Sequence, residues 1–328
     1  MSRRTTIVGC CFALAIGAVA VYAAESNRGV EIQREKGKLH VSINGEPFSD
    51  YIYEGYSRPI LFPILGPGEA KMTRNYPLAP GENEAHDHPH HKSFWWGHGS
   101  MNGVDFWAEE KNHGTEQHVE FVSIESGKVG VIRSRDKYLD AAGKVVCTDD
   151  RTMRIYSDPN ARIFDFEITL HASEGDLKFG DTKEGTMALR LAETMRLTGK
   201  VGKGHIVNSE GVRDDATWGK RADWVDYYGP VDGKTVGVAI FDHPGNPRHP
   251  TWWHVRDYGL FAANPFGIHD FEKKPAGAGD LTVPKGDNIT FKYRFIIHPG
   301  DEKDAKIAEA YEKYKWEDRL HDGLRPNR

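Results

Sequence analysis

Lys38-Leu39-His40-Val41-Ser42-Ile43-Asn44-Gly45-Glu46-Pro47-Phe48-Ser49-Asp50-Tyr51-Ile52-Tyr53 decides the fold. Polar and apolar residues alternate from Lys38 to Ile43, the period of a half-buried strand. Asn44-Gly45 follows, a pair that tolerates the positive φ of a two-residue hairpin turn, and the pattern resumes from Pro47-Phe48 to Tyr53. The amino-terminal module is predicted to be a β-hairpin. Further alternating stretches run His118 to Ile124, Lys128 to Tyr138, Lys144 to Tyr156 and Arg162 to His171, with turns at Ser126-Gly127, Ala142-Gly143 and Asp158-Pro159-Asn160. A second β-rich block covers Thr186 to Leu197, Trp224 to Tyr228, Thr235 to Phe241, Trp252 to Ala262 and Asn288 to Ile297. The strong helical pattern comes last. Gly300-Asp301 supply a cap, and Ile307, Ala308, Tyr311, Tyr314 and Lys315 recur at three- and four-residue steps to Trp316, placing a helix at about 301–317.

No Ser- or Pro-rich linker separates the blocks. The expected fold class is all-β: a large antiparallel two-sheet sandwich, galactose-mutarotase-like by analogy, with a C-terminal helix. Residues 24–328 are expected to form a single β-sandwich domain. The 328 residues are 38% hydrophobic, with 35 Gly, 17 Pro and 36 aromatic side chains, enough to fill a large core. A mean hydropathy of -0.60 excludes a multi-span membrane protein.

Residues 1–23 stand apart. Arg3 and Arg4 precede an apolar run from Ile7 to Val21, and Val21-Tyr22-Ala23 places small or apolar residues at a cleavage site, the pattern of a signal peptide. Export to the periplasm or the medium is expected, with no membrane span after cleavage. Losing Arg3 and Arg4 takes Lys+Arg from 43 to 41 against 48 Asp+Glu, a formal charge of -7, which argues against nucleic acid as a partner. Cys10 and Cys11 lie in the signal, so Cys147 alone remains and no intramolecular disulfide forms.

Seven of the 16 His fall between His86 and His118. In an extended segment His86, His88 and His90 share a face, a spacing that suits a divalent metal completed by His98, Glu116 or His118. The competing account is a polar cleft wall of hydrogen-bonding imidazoles, since the spacing matches no closed zinc pattern and has no thiolates. Trp95, Trp96, Asn102 and Asp105 follow, aromatic rings interleaved with polar groups as a sugar ligand requires, although alternation sends about half of such Trp into a core. The loop Phe179-Gly180-Asp181-Thr182-Lys183-Glu184-Gly185 offers Asp181 and Glu184 as proton carriers, and Arg190 with Glu193 as a pair that fixes a polar group. Asp242 to Asp257 repeats the vocabulary with Arg248, His249, Trp252, Trp253 and His254, and Asp87-His88-Pro89 to Trp95-Trp96 is echoed by Asp242-His243-Pro244 to Trp252-Trp253. No G-x-S-x-G, phosphate-loop, G-x-G-x-x-G or H-E-x-x-H motif occurs.

Asp87-His88-Pro89-His90-His91 to Trp107, the 179–185 loop, Val207-Asn208-Ser209-Glu210-Gly211, Trp218-Gly219-Lys220-Arg221 and Phe241-Asp242-His243-Pro244 through His254 together resemble a bacterial domain-of-unknown-function family often labelled PmoA-like or "methane oxygenase". The resemblance spans nearly all of the chain after the signal. It implies a secreted or periplasmic bacterial protein, with relatives common in bacteria that degrade polysaccharides.

The function expected is that of an exported carbohydrate-active enzyme working by hydrolysis, elimination or epimerisation on a sugar or oligosaccharide. His88 or His91 would move a proton with Asp181 or Glu184. The alternatives are a non-catalytic sugar-binding protein and a metal-dependent oxidase or oxygenase built on the His cluster.

Overall fold

The alternation builds two eight-stranded antiparallel sheets. The computed structural model describes residues 29–321, so the segment read as a signal, residues 1–23, lies outside the described residues. The chain starts in the first sheet with β1 (Val30–Glu35), β2 (Lys38–Ile43), β3 (Glu46–Ile52), β4 (Ile60–Leu61) and β5 (Phe94–His98). It crosses to the second with the long strands β6 (Thr115–Glu125), β7 (Val129–Leu139), β8 (Val145–Tyr156) and β9 (Arg162–His171). After β10 (Leu177–Phe179), it returns to the first sheet as β11 (Gly185–Arg190) and to the second as β12 (His205–Asn208), β13 (Trp224–Val231) and β14 (Lys234–Asp242). The hairpin β15 (Trp252–Val255) and β16 (Leu260–Asn264) closes the first sheet. The short helix α1 (Ile268–Glu272), β17 (Leu281–Val283), β18 (Asn288–Pro299) and the helix α2 (Ile307–His321) follow. Strand order is β1-β2-β3-β4-β5-β11-β16-β15 in the first sheet and β12-β13-β14-β18-β9-β8-β7-β6 in the second, with β10 and β17 as a separate ribbon.

The opening hairpin forms as its sequence dictates. Asn44 (φ 54) and Gly45 (φ 83) make the turn, and Ile43 pairs with Glu46. One hydrophobic core joins the sheets, with Leu39, Val41, Phe94, Trp96, Met187 and Leu189 meeting Phe164, Phe166, Phe291 and Phe295. The Phe164 and Phe295 rings stack at 4.4 Å, and Phe94 of the facing sheet meets Phe295 edge-on at 5.5 Å. β6, at the edge of the second sheet, carries two register shifts, between His118 and Glu120 and between Phe121 and Ser123. No helix among the described residues is long and apolar enough to cross a membrane.

Three element boundaries differ from the sequence expectation. Trp252 to Ala262 is two strands, because Asp257-Tyr258-Gly259 turns the chain with Gly259 at φ 86. The strand from Thr186 ends at Arg190, and Glu193–Met195 forms a single 3-10 turn. The final helix begins at Ile307: Asp301 Oδ1 accepts the Lys303 and Asp304 N–H groups in a capped turn of its own, and Lys306 in the left-handed region (φ 53) separates that turn from α2. Ile307, Tyr311 and Tyr314 pack α2 against Val207, Trp224, Phe241 and Ile296 on the outer side of the second sheet, while Ala308 and Trp316 are exposed.

Inside β6 to β8, Arg151 meets three buried carboxylates: Glu116 at 2.6 Å, Asp136 at 3.1 Å and Asp149 at 2.8 Å. One guanidinium does not neutralise three anions, so burial outweighs it and pushes Glu116 up to about 7 and Asp149 to about 6. The folded chain therefore takes up a proton that the unfolded chain, with Glu near 4.5, has released, and stability falls as pH rises from about 4.5 to 7. Glu116→Gln is expected to flatten that part of a urea-denaturation pH profile; an unchanged slope would assign the proton elsewhere.

Candidate functional site

The pleat gives the first sheet two occupied faces. Phe94, Trp96, Met187 and Leu189 point into the core, so Trp95, Ala188 and, across β16, Leu260 and Ala262 form a second apolar layer with Ile60 and Trp107 on the far side. Arg190 and His254 alternate onto the same side. Phe62 and Leu78 of the loop that connects β4 to β5 pack on this layer.

Two fully buried guanidiniums hold that loop through one carboxylate. Arg190 Nη2 donates to Asp87 Oδ1 at 2.7 Å, and Arg74 Nη1 donates to the same oxygen. Arg74 also donates to the carbonyls of Tyr76, Ala85, Asp87 and His88, so it fixes the loop's course. Burial would raise the Asp87 carboxyl, but contact with His88 and the two guanidiniums outweighs burial and holds it well below the usual carboxylate range.

The loop's imidazoles form a column of parallel rings. Tyr258 stacks on His88 at 5.0 Å, His88 on His91 at 4.7 Å, and His91 on Trp95 at 5.1 Å. Arg190 Nη1 donates to His91 Nδ1 at 3.0 Å; a guanidinium has no lone pair to accept with, so His91 carries its proton on Nε2. Burial holds His91 well below the imidazole range, His90 at about 4 and His254 at about 3, so all three are neutral at pH 7. Burial also raises the Tyr258 phenol, which keeps its proton. His88 is the open member, with its side chain 40% exposed and Nδ1 3.4 Å from Asp87 Oδ2. Arg256 lies over the rings of Tyr258 and Trp218. Trp95 Nε1, Trp107 Nε1 and His254 Nδ1 are buried without a hydrogen-bond partner in the protein.

Of the residues singled out from sequence, His88, His90, His91, Trp95, Arg190 and His254 come together here. Glu184 stands at the rim, paired with Lys183. Asp105 accepts the Trp107 and Ala108 N–H groups and shapes the wall.

The others go elsewhere. Asp181 clamps the 267–280 segment by accepting the His269 and Gly279 N–H groups, and Arg248 binds the carbonyls of Pro265, Gly279 and Asp280. Glu193 pairs with Arg196, not Arg190. Asn102 holds a tight turn against Asp176 and Lys178. His249 sits between Asp242 and Asp223. Trp96 and Trp253 are core residues, and Trp252 donates to Glu272 beneath Arg221.

The imidazoles offered as metal ligands are dispersed. His86 stacks on Tyr76, His98 lies between Phe179 and Phe266 with Nε2 against the Gly180 carbonyl, and His118 pairs with Asp136. Glu116 belongs to the Arg151 cluster. Among the described residues no group of three or more His, Cys, Asp or Glu side chains has a geometry that could hold a metal ion. The extended backbone that would have aligned His86, His88 and His90 is broken by a turn in which His88 has φ 43.

Arg74 and Tyr258 were not foreseen as site residues, whereas Arg256 lay in the 242–257 stretch singled out from sequence and Trp218 in the family resemblance, neither with an assigned role. The Asp257-Tyr258-Gly259 turn signal was the available clue to Tyr258, and Arg74 lies in a non-periodic loop.

Fold and site together define a two-sheet antiparallel sandwich with an imidazole- and guanidinium-lined cleft on the outer side of one sheet. Residues 38–312 match the Family of unknown function (DUF6807), and the chain belongs to that family. The match carries the unknown-function part of the resemblance read from sequence and says nothing of methane oxygenation. No curated protein matches the sequence.

Among solved structures it is similar to a glycoside hydrolase family 97 enzyme from Pseudoalteromonas sp. strain K8, at 10% identity over 84% of this chain and 34% of that one, TM-score 0.33. It is also similar to a family 36 alpha-galactosidase from Geobacillus stearothermophilus, at 9% over 83% and 40%, TM-score 0.38. A galactose mutarotase related enzyme from Lactobacillus acidophilus matches at 12% over 82% and 97%, TM-score 0.27. The chain spans 34% to 40% of the length of the two hydrolases. At these identities and scores the likenesses carry no argument about chemistry.

Asp87→Asn keeps the shape of the shared acceptor and removes its charge, leaving two buried guanidiniums without an anion. The expected cost is roughly 3 kcal/mol in urea unfolding, at the low end for a broken buried pair because Asp87 keeps some contact with water. A loss below about 1 kcal/mol would show that the loop is held by other contacts.

Proposed function

We propose that the protein is an exported carbohydrate-active enzyme that moves a proton at a sugar carbon, by elimination. The observation that carries this is the stacked pair His88 and Tyr258 at the mouth of the cleft, one an exposed imidazole beside an ionised carboxylate, the other a phenol held protonated by burial. Export rests on the amino-terminal 23 residues alone.

Among the expected alternatives, hydrolysis calls for a pair of available carboxylates flanking the bond. Here Asp87, Asp105, Glu109 and Glu184 are each engaged: by two arginines, by backbone N–H groups, by Lys92 with Arg58, and by Lys183. Epimerisation by inversion needs acid and base on opposite faces of the carbon, whereas His88 and Tyr258 stand side by side. In elimination, Asp87 orients the His88 ring and His88 takes the carbon-bound proton. The released electron pair forms a carbon–carbon double bond as the glycosidic C–O bond breaks, and the leaving oxygen takes the Tyr258 proton. Trp95 and Trp107 lie fully buried behind His91, and burial together with Arg190 keeps His91 neutral as the platform under His88.

Incubation of the purified chain with a panel of polysaccharides, read by the ultraviolet absorbance of the new double bond, tests the proposal. His88→Ala and Tyr258→Phe are each expected to lower kcat by roughly 10²- to 10⁴-fold without loss of fold. Full activity in either variant would sink the assignment. Glycan binding with no turnover and a flat pH profile would instead make this a sugar-binding protein.

A further inference from the structure

The cationic groups around the cleft are committed to protein partners, with one exception. Arg74 and Arg190 share Asp87, Arg58 and Lys92 share Glu109, Lys183 takes Glu184, and Arg221 binds the carbonyls of Pro250, Arg248 and His249. Arg256 is half-buried, its guanidinium 5.7 Å from the Trp218 ring centroid and 5.3 Å from that of Tyr258, and among the described residues it makes no side-chain hydrogen bond or ion pair. Two aromatic faces hold a planar cation while leaving its N–H edge without an acceptor. Beside it, Trp218 Nε1 and His254 Nδ1 are buried and also without protein partners, and the Trp218 and His254 ring centroids lie 6.3 Å apart.

We propose that Arg256 is the seat for the carboxylate of an acidic sugar, with Trp218 and Tyr258 as its walls and His254 as a neighbouring hydrogen-bonding group. The inference rests on the elimination reading and deepens it. A sugar C–H bond is a very weak acid, and an imidazole removes its proton at a useful rate only when an adjacent carbonyl or carboxyl group accepts the charge that develops. A carboxylate does so once its own charge is neutralised, which a desolvated guanidinium accomplishes through two parallel N–H···O bonds. Tyr258 links the two functions, since one ring stacks on His88 and lies under Arg256, so a carboxylate on Arg256 sets the neighbouring carbon near the base.

An array of defined neutral, uronate-bearing and sulfated oligosaccharides, probed with the full chain and with Arg256→Gln and Arg256→Lys, provides the test. Binding is expected to favour the uronate-bearing set. Arg256→Gln should weaken it by roughly tenfold to a hundredfold, and Arg256→Lys should restore part of that loss while showing that the fold tolerates the change. Equal binding of neutral glycans, preference for sulfate esters, or uronate affinity unchanged in Arg256→Gln would overturn the assignment. Uronate binding that needs Arg256 but leads to no turnover would leave the assignment standing and sink elimination. Formation of the double bond on a uronate-bearing glycan, unaffected by Arg256→Gln, would do the reverse, and an array with no bound glycan would sink both.

Discussion

Two buried guanidiniums bound to one carboxylate organise the cleft. Arg190 belongs to the rigid strand β11 and Arg74 to the loop, and Asp87 is the point at which loop and sheet are joined. Neither cation can be left unpaired away from water, so the loop has few alternatives to its observed course. The same bonds set the protonation of the site. Arg190 fixes the His91 tautomer, and His91 in turn presents a neutral, flat ring on which His88 rests.

The second sheet handles buried charge the opposite way. There three carboxylates surround one guanidinium, and burial with that surplus negative charge keeps protons on. At the cleft burial, reinforced by neighbouring positive charge, expels protons from His90, His91 and His254. Excess charge of either sign in a dry interior is settled by proton uptake or release.

Much of the fold was legible because a strand of period two exposes its packing in its sequence. The Asn44-Gly45 turn, the long strands β6 to β9 and β18, and the aromatic face of α2 were all readable from neighbours within a few residues. The doublets Trp95-Trp96 and Trp252-Trp253 illustrate the rule at single-residue level: each lies in a strand of the first sheet, and each sends its second Trp into the core and its first to the other side. The site was only half legible. The His cluster was found by composition, but its geometry depended on Arg74 and Arg190, more than 100 residues apart in the chain, converging on one oxygen, and no local pattern encodes that. Asp181 and Arg248 had the chemistry of catalytic residues and were used to tie loops, because charged side chains also satisfy backbone groups that irregular segments leave unpaired.

The bulges of β6 bear on how the protein behaves at high concentration. Val119 and Val122 fall at the two register shifts and are 55% and 51% exposed, having been pushed out of the ladder. An uninterrupted eleven-residue edge would offer a neighbouring molecule a continuous row of amide partners. With a break every few residues, a second chain finds no long run of aligned amide partners along this edge.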